Sequence, residues 1–253
     1  MTTLHTRRFV SRTALDAALV ERLGRAIAYD DGVGTAIMLS GGKTPIPAYR
    51  ELAARGLTHN ERLHVLFSDE RYVPASSETS NYHQACELLN ELALPDDSLL
   101  RVRTELALEE AAADYERRLA ELIRSGVRIK LGLLGLGPDG HTAALFDPED
   151  LARAQGHLAI AVQRPDGLPG VTVTPEFLAH VEELVFVVAG ACKRDAIRAL
   201  MNTDPCLIAW RAVQGRAKVE LWVEQAAIFS LMAGARSDEA TQHAHHRKVP
   251  AHT

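Results

Sequence analysis

Short, buried-looking runs recur along the chain at Gly34–Leu39, Leu63–Phe67, Ile129–Leu136 and Leu184–Ala189, broken only by Thr35, His64 and Lys130 and each followed by a loop of polar residues. A strand that is apolar on both of its faces must be covered on both, which is the condition of a parallel sheet with helices above and below it. Helical spacing fills the intervals. Leu15, Leu19, Leu23 and Ile27 follow a Ser11 cap, a helical pattern runs from Pro45 to Arg55, and Tyr115, Leu119, Leu122 and Ile123 mark a scaffold helix over roughly 105–124. The expected fold class is therefore α/β, a three-layer, mostly parallel Rossmann-like sheet with helices on both faces. The stretch from Gln163 to Pro175 is rich in Pro and Gly, with Val171 and Val173 in alternation, and reads as a loop and short strand. One domain is expected over 1–236 and a mobile C-terminal tail over 237–253, whose His243, His245 and His246 belong to the tail rather than to a metal site.

Composition narrows the classes of function. The 253 residues are 47% hydrophobic, enough for a sizeable core. The net charge is -5 and the basic residues are scattered, so the positive stripe of a nucleic-acid binder is missing. No apolar run reaches the length of about 18 residues that a membrane span needs, and the N-terminus lacks a signal-peptide pattern, so no membrane partner is expected and the location expected is cytoplasmic. Cys86, Cys192 and Cys206 show no paired spacing, which fits a reducing compartment; each is read as a buried small hydrophobe.

In open parallel sheets, ligands bind beyond the carboxyl ends of the strands, so the loops after the apolar runs carry the functional reading. In Ser40-Gly41-Gly42-Lys43-Thr44-Pro45 two glycines let the backbone approach a ligand, and amides at a helix start, two hydroxyls and an ammonium suit a phosphate. Many strand-to-helix turns need glycine for their geometry alone, so this loop by itself is weak. Ser68-Asp69-Glu70-Arg71-Tyr72-Val73-Pro74, followed by Ser80-Asn81-Tyr82, reads equally as a site or as a solvated ion-pair cluster. The loop from Gly135 to Phe146 places Asp139 two residues before His141 in a Gly-rich turn, where an imidazole is well placed for proton transfer. No acidic residue closes a following strand where a dinucleotide fingerprint would need one, and no cofactor is expected. A GxSxG nucleophile elbow and a zinc-type His cluster are likewise missing from the ordered part of the sequence.

Together, SGGKTP, SDERYVP with SN, GLGPDGHTAALF, VTVTP and Gly190-Ala-Cys-Lys193 resemble, in this order, the motifs of the 6-phosphogluconolactonase family, over about Ser40 to Ala227. That family shares a fold superfamily with the glucosamine-6-phosphate isomerase/deaminases. In deaminases a catalytic glutamate stands five residues after the motif histidine; here that position is Phe146, which favours the lactonase branch. The resemblance implies hydrolysis of 6-phospho-D-glucono-1,5-lactone to 6-phosphogluconate in the oxidative pentose phosphate pathway. A deaminase/isomerase-like enzyme and a non-catalytic sugar-phosphate effector domain are the alternatives. The expected partner is a small phosphorylated sugar lactone, handled by a monomer or small homo-oligomer without metal.

On this reading His141 is the general base, Asp139 and Asp69 are orienting carboxylates, and Arg71 stabilises developing negative charge. Ser40, Gly41, Gly42, Lys43, Thr44 and Lys193 hold the phosphate, and Asn81 contacts sugar hydroxyls or caps a helix. Two departures from the family pattern stand out. Asp147 is inserted before Pro148, and Pro169-Gly170 stands where the family has a phosphate-contacting arginine. Lys43, inside the phosphate loop, is the expected replacement cation. Arg164 would have to be folded back over the site.

Overall fold

In the computed structural model, which describes residues 2–30, 32–215 and 218–229, the four apolar runs become neighbouring strands at the centre of one parallel sheet. The strands in chain order are β1 (Thr3–Phe9), β2 (Thr35–Leu39), β3 (Leu63–Phe67), β4 (Asp69–Arg71), β5 (Leu99–Leu100), β6 (Arg128–Leu134), β7 (Ala159–Gln163), β8 (Pro169–Val173), β9 (Leu184–Val188) and β10 (Lys218–Glu224). The large sheet has the order β1-β10-β9-β6-β2-β3-β5, with every pairing parallel. From β2 the chain moves outward through β3 to β5 and then returns to β6 on the other side of β2. The winding therefore reverses between β2 and β6, the kind of switch point at which open sheets open a crevice.

The helices are α1 (Arg12–Ala28), α2 (Ile46–Ala54), α3 (Asn81–Gln84), α4 (Cys86–Leu92), α5 (Leu108–Arg124), α6 (Pro148–Arg153), α7 (Pro175–Leu178), α8 (Arg194–Met201), α9 (Ile208–Val213) and α10 (Gln225–Phe229). Strand alternation divides the core in two. Ile37 and Leu39 of β2 pack with α1, α2 and α4 on one face, whereas Ala36 and Met38 pack with α5, α7, α8 and α9 on the other. Helix α1 starts where expected, with the Ser11 hydroxyl accepting from the Ala14 N–H at 3.2 Å. Its Leu15, Leu19, Leu23 and Ile27 are fully buried, each worth roughly 1.5–3 kcal/mol of transfer free energy. The sequence expectation of a three-layer, mostly parallel α/β fold is borne out.

Several local readings need correction. The stretch from 163 to 175 does hold a loop and a short strand, and what the sequence did not show is their partners: β7 and β8 pair antiparallel, β4 adds to β8, and the three form a second sheet. Val171 and Val173 are buried in the same core as α5, which makes the short strand the central one of the three. Helix α5 begins at Leu108, later than the periodicity suggested. None of the three cysteines is buried: Cys192 lies exposed in a short 3-10 turn after β9, Cys206 is exposed before α9, and Cys86 is half-buried at the start of α4. Both exposed cysteines sit in connections between elements, which run over the surface. Asp147 caps α6, accepting from the Asp150 N–H at 2.9 Å. Among the described residues no helix is long and apolar enough to cross a membrane. The domain boundary and tail expected at 236–253 lie outside the described residues.

Candidate active site

Adjacency in the sheet decides which loops meet. Because β9, β6, β2 and β3 are neighbours, the segments that follow them emerge side by side at the switch point. They enclose a cavity of about 180 Å³ whose lining includes Ser40, Gly41, Gly42, Asp69, Arg71, Asn81, His141, Arg164 and Lys193. A smaller pocket of about 50 Å³ shares Ser40, Gly41, Gly42 and Lys193 with it and extends to Lys43 and Thr44. Every candidate residue except Asp139 lines one of these two spaces, and Asp139 stands behind His141.

The turn carrying His141 is built to hold an imidazole still. The Gly137 N–H donates to the His141 carbonyl at 2.9 Å, the Gly140 N–H donates to the Gly137 carbonyl at 3.1 Å, and the Thr142 hydroxyl donates to the Gly135 carbonyl at 2.8 Å. The Ala144 N–H is tied to the buried Thr172 hydroxyl of β8 at 3.0 Å. His141 Nδ1 lies 2.5 Å from Asp139 Oδ1. A carboxylate there draws the ring proton to Nδ1 and leaves Nε2 with its lone pair, the tautomer a base needs. Burial pushes the Asp139 pKa up, but the charge and hydrogen bonds of His141 outweigh it and hold the carboxyl below its usual range. No side chain fits at Gly137, where a Cβ would come within 2.1 Å of His141 Nδ1. The ring of Phe146 covers the imidazole, with centroids 4.5 Å apart.

Asp69 and Arg71 are alternate residues of β4 and face the cavity together. Between them, the Asn81 amide donates to the Asp69 carbonyl at 2.8 Å and to Asp69 Oδ2 at 3.2 Å, and its Oδ1 accepts from Arg71 Nη1 at 3.0 Å. Asn81 thus does more than cap a helix; that cap is Ser80, which accepts from the His83 N–H. Arg71 Nη1 also donates to the Thr79 carbonyl, so Nε and Nη2 make no hydrogen bond among the described residues. Gly41 is required by close approach, since a Cβ there would lie 1.9 Å from Asn81 Oδ1.

The glycine loop is braced from behind. The buried Tyr49 hydroxyl accepts from the Ser40 N–H and donates to the Ser40 carbonyl, and Arg12 donates to the Thr44 carbonyl at 2.6 Å. The Gly42 N–H is engaged by Gln84 Oε1 at 3.1 Å. Pro45 and Pro47 remove two N–H groups from the start of α2, so a phosphate there depends more on cations than a generic helix start would require. Lys193 stands where the two pockets meet, and burial pushes its pKa down.

The two rival cations separate clearly. Lys43 is exposed and borders only the smaller pocket. Arg164 lines the main cavity with a side chain only 10% exposed, because the β7–β8 hairpin does fold back over the site. Its stem crosses Gly170, where a Cβ would meet the Glu70 carbonyl of β4 at 2.9 Å and Arg164 Cδ at 3.3 Å, so a glycine at 170 admits both the strand pairing and the Arg164 stem. Asp166 pairs with the guanidinium at 3.0 Å, and the guanidinium lies over the Phe146 ring at 5.4 Å.

Sequence reasoning did not single out Arg12, Tyr49, Gln84, Glu70 or Asp166. Only Glu70, a charge between two charges at a strand end, and Asp166, two residues from Arg164, carried a local signal; Arg12 and Gln84 act across distances in sequence that no local pattern reports, and Tyr49 reads as an ordinary core position.

The family model for glucosamine-6-phosphate isomerases/6-phosphogluconolactonases matches residues 10–222. A 6-phosphogluconolactonase of Synechocystis sp. is 36% identical over 210 residues, which is 80% of this chain and 85% of that protein. Another, from Thermotoga maritima, is 34% identical over 174 residues, 67% of this chain and 76% of the relative. The crystal structure of 6-phosphogluconolactonase from Thermotoga maritima superposes with a TM-score of 0.71 at 28% identity, covering 88% of this chain and 100% of that one. A monomeric glucosamine-6-phosphate deaminase superposes at 0.74 with 14% identity, so the fold alone does not separate the two chemistries.

Proposed function

The chain belongs to the glucosamine-6-phosphate isomerase/6-phosphogluconolactonase family, and within it we propose a 6-phosphogluconolactonase that uses His141 as general base. The substrate is 6-phospho-D-glucono-1,5-lactone, the product 6-phosphogluconate, and the step belongs to the oxidative pentose phosphate pathway. The observation that carries this reading is the Asp139-oriented imidazole set in a cavity whose other walls bring Arg71, Arg164 and Lys193. Phe146 argues against the deaminase branch: the position where the family resemblance requires a glutamate supplies an apolar ring against the imidazole.

The reaction follows from these positions. Nε2 of His141 takes a proton from water as its oxygen attacks C1 of the lactone. Negative charge develops on the carbonyl oxygen, and the open nitrogens of Arg71 are the donors placed to receive it. The bond between C1 and the ring oxygen then breaks, and the imidazolium returns the proton to that oxygen. Asp69, fixed by Ser68 and Asn81, orients the sugar end. The phosphate rests on Ser40, Gly41, Gly42 and Thr44, with Lys193 and Arg164 supplying charge and Lys43 at the rim. Such binding, remote from C1, holds the reacting carbon at the base. The proton transfers need no metal, since a lactone carbonyl is already reactive.

Purified protein assayed with the lactone in excess chelator tests the reading. Opening well above the spontaneous rate is expected. Release of ammonia from glucosamine 6-phosphate without lactone opening, or activity recovered only on adding metal, would overturn it.

A further inference from the structure

Glu70 is a carboxylate in the wrong place for a packing residue. It lies between Asp69 and Arg71 on β4, so strand alternation turns it away from the cavity, and it is only 2% exposed. Burying a carboxylate is costly unless its oxygens are filled. They are: Oε1 accepts from the Asn81 N–H at 2.7 Å and the Arg71 N–H at 2.8 Å, and Oε2 accepts from the Tyr82 N–H at 2.8 Å and the Ser80 hydroxyl at 3.0 Å. Burial still leaves its pKa raised.

These bonds fasten the segment from 80 to 82 to the back of β4. The Asn81 side chain is thereby delivered to the front of the strand, where it bonds both Asp69 and Arg71 and fits against Gly41. We propose that Glu70 is a positioning residue of the reaction, a buried clamp that acts through Asn81 to set Asp69, Arg71 and the glycine loop in register with one another. An apolar side chain would fill the same space without that registry. Glu70 touches no substrate. The inference rests on the reading of Asp69, Arg71 and Asn81 as substrate-facing groups.

A double-mutant cycle tests it, with Glu70→Gln, Asn81→Ala and their combination compared in kcat, KM and thermal midpoint. Replacing one acceptor oxygen by an amide nitrogen leaves at least one backbone N–H of the clamp without its acceptor, Tyr82 in one amide orientation and Arg71 and Asn81 in the other. Glu70→Gln should lower kcat/KM roughly tenfold or more, mostly through kcat, with the protein still folded. In the Asn81→Ala background the same change should cost less than about threefold, since the clamp then has nothing to position. If Glu70→Gln does not fold, Glu70→Asp, which keeps the charge but withdraws it by one methylene, replaces it with the same expectations. Additive losses, a folded Glu70 variant with unchanged kcat/KM, or a loss that merely tracks the unfolded fraction would overturn the clamp. Near-normal activity of both Asn81→Ala and Arg71→Ala would instead remove the site reading beneath it, and the clamp with it.

Discussion

The ammonium of Lys193 is half-buried where the two pockets meet, and burial pushes its pKa below the ordinary lysine value against a smaller opposing effect of Cys192. In the free enzyme, rising pH therefore removes its charge earlier than it would from an exposed lysine. A bound phosphate is already close to dianionic above neutrality, so an alkaline loss of product binding belongs to the protein. Binding of 6-phosphogluconate should weaken as pH rises through that lowered pKa. Lys193→Arg, whose guanidinium does not titrate, should abolish the alkaline limb. An unchanged limb in Lys193→Arg would assign it to another group. At this scale the sequence was informative where chemistry and motif coincide, as at His141, Asp139 and Lys193, and silent where a residue works by bracing another. Tyr49 looks like any apolar helix position, and only the fold reveals that its hydroxyl serves both polar groups of the Ser40 backbone.

The β7–β8 hairpin brings Arg164, not Lys43, into the main cavity, and on the proposed function Arg164 is the cation that meets the phosphate. From the sequence alone, Lys43 was the nearer choice, because Arg164 needed a segment rich in Pro and Gly to fold back. Antiparallel pairing from Ala159↔Val173 to Gln163↔Pro169 does fold it back, and Asp166 holds Arg164 across Gly170. The pairing was hard to read because β7 and β8 belong to a second sheet whose partner, β4, is only three residues long. The four central strands β2, β3, β6 and β9 were legible because burial on both faces leaves a mostly apolar run, whereas β1 is largely exposed, β10 carries Lys218, Glu220 and Glu224, and β4 carries three charges. Arg164→Ala should raise KM and weaken inhibition by phosphate by about 1.5–3 kcal/mol, the range for a hydrogen bond to a charged group. Lys43→Ser should be the milder change, and turnover should hold in both, since contact remote from C1 is lost about equally from ground and transition states. Loss of phosphate inhibition in Lys43→Ser but not in Arg164→Ala would return the role to the glycine loop.

Across the whole molecule, function follows from strand order. The segments after β9, β6, β2 and β3 are far apart in sequence, yet the parallel order β9-β6-β2-β3 lays them next to one another on one edge of the sheet. The reversal of winding between β2 and β6 opens the space into which they project. One face of the sheet is closed by α1, α2 and α4, and the other by the small sheet and the remaining core helices. The site is consequently rimmed by loops but braced by rigid elements, through Arg12 of α1, Tyr49 of α2 and Thr172 of β8. On the proposed mechanism this arrangement serves His141 as base, so the most direct test is the turnover of His141→Ala, measured with the spontaneous opening of the lactone subtracted and folding verified by an unchanged thermal transition. Loss of the base should lower kcat by roughly two to four orders of magnitude, with product affinity little altered because the phosphate contacts remain. A folded His141→Ala protein that opens the lactone at a near-normal rate would contradict the account.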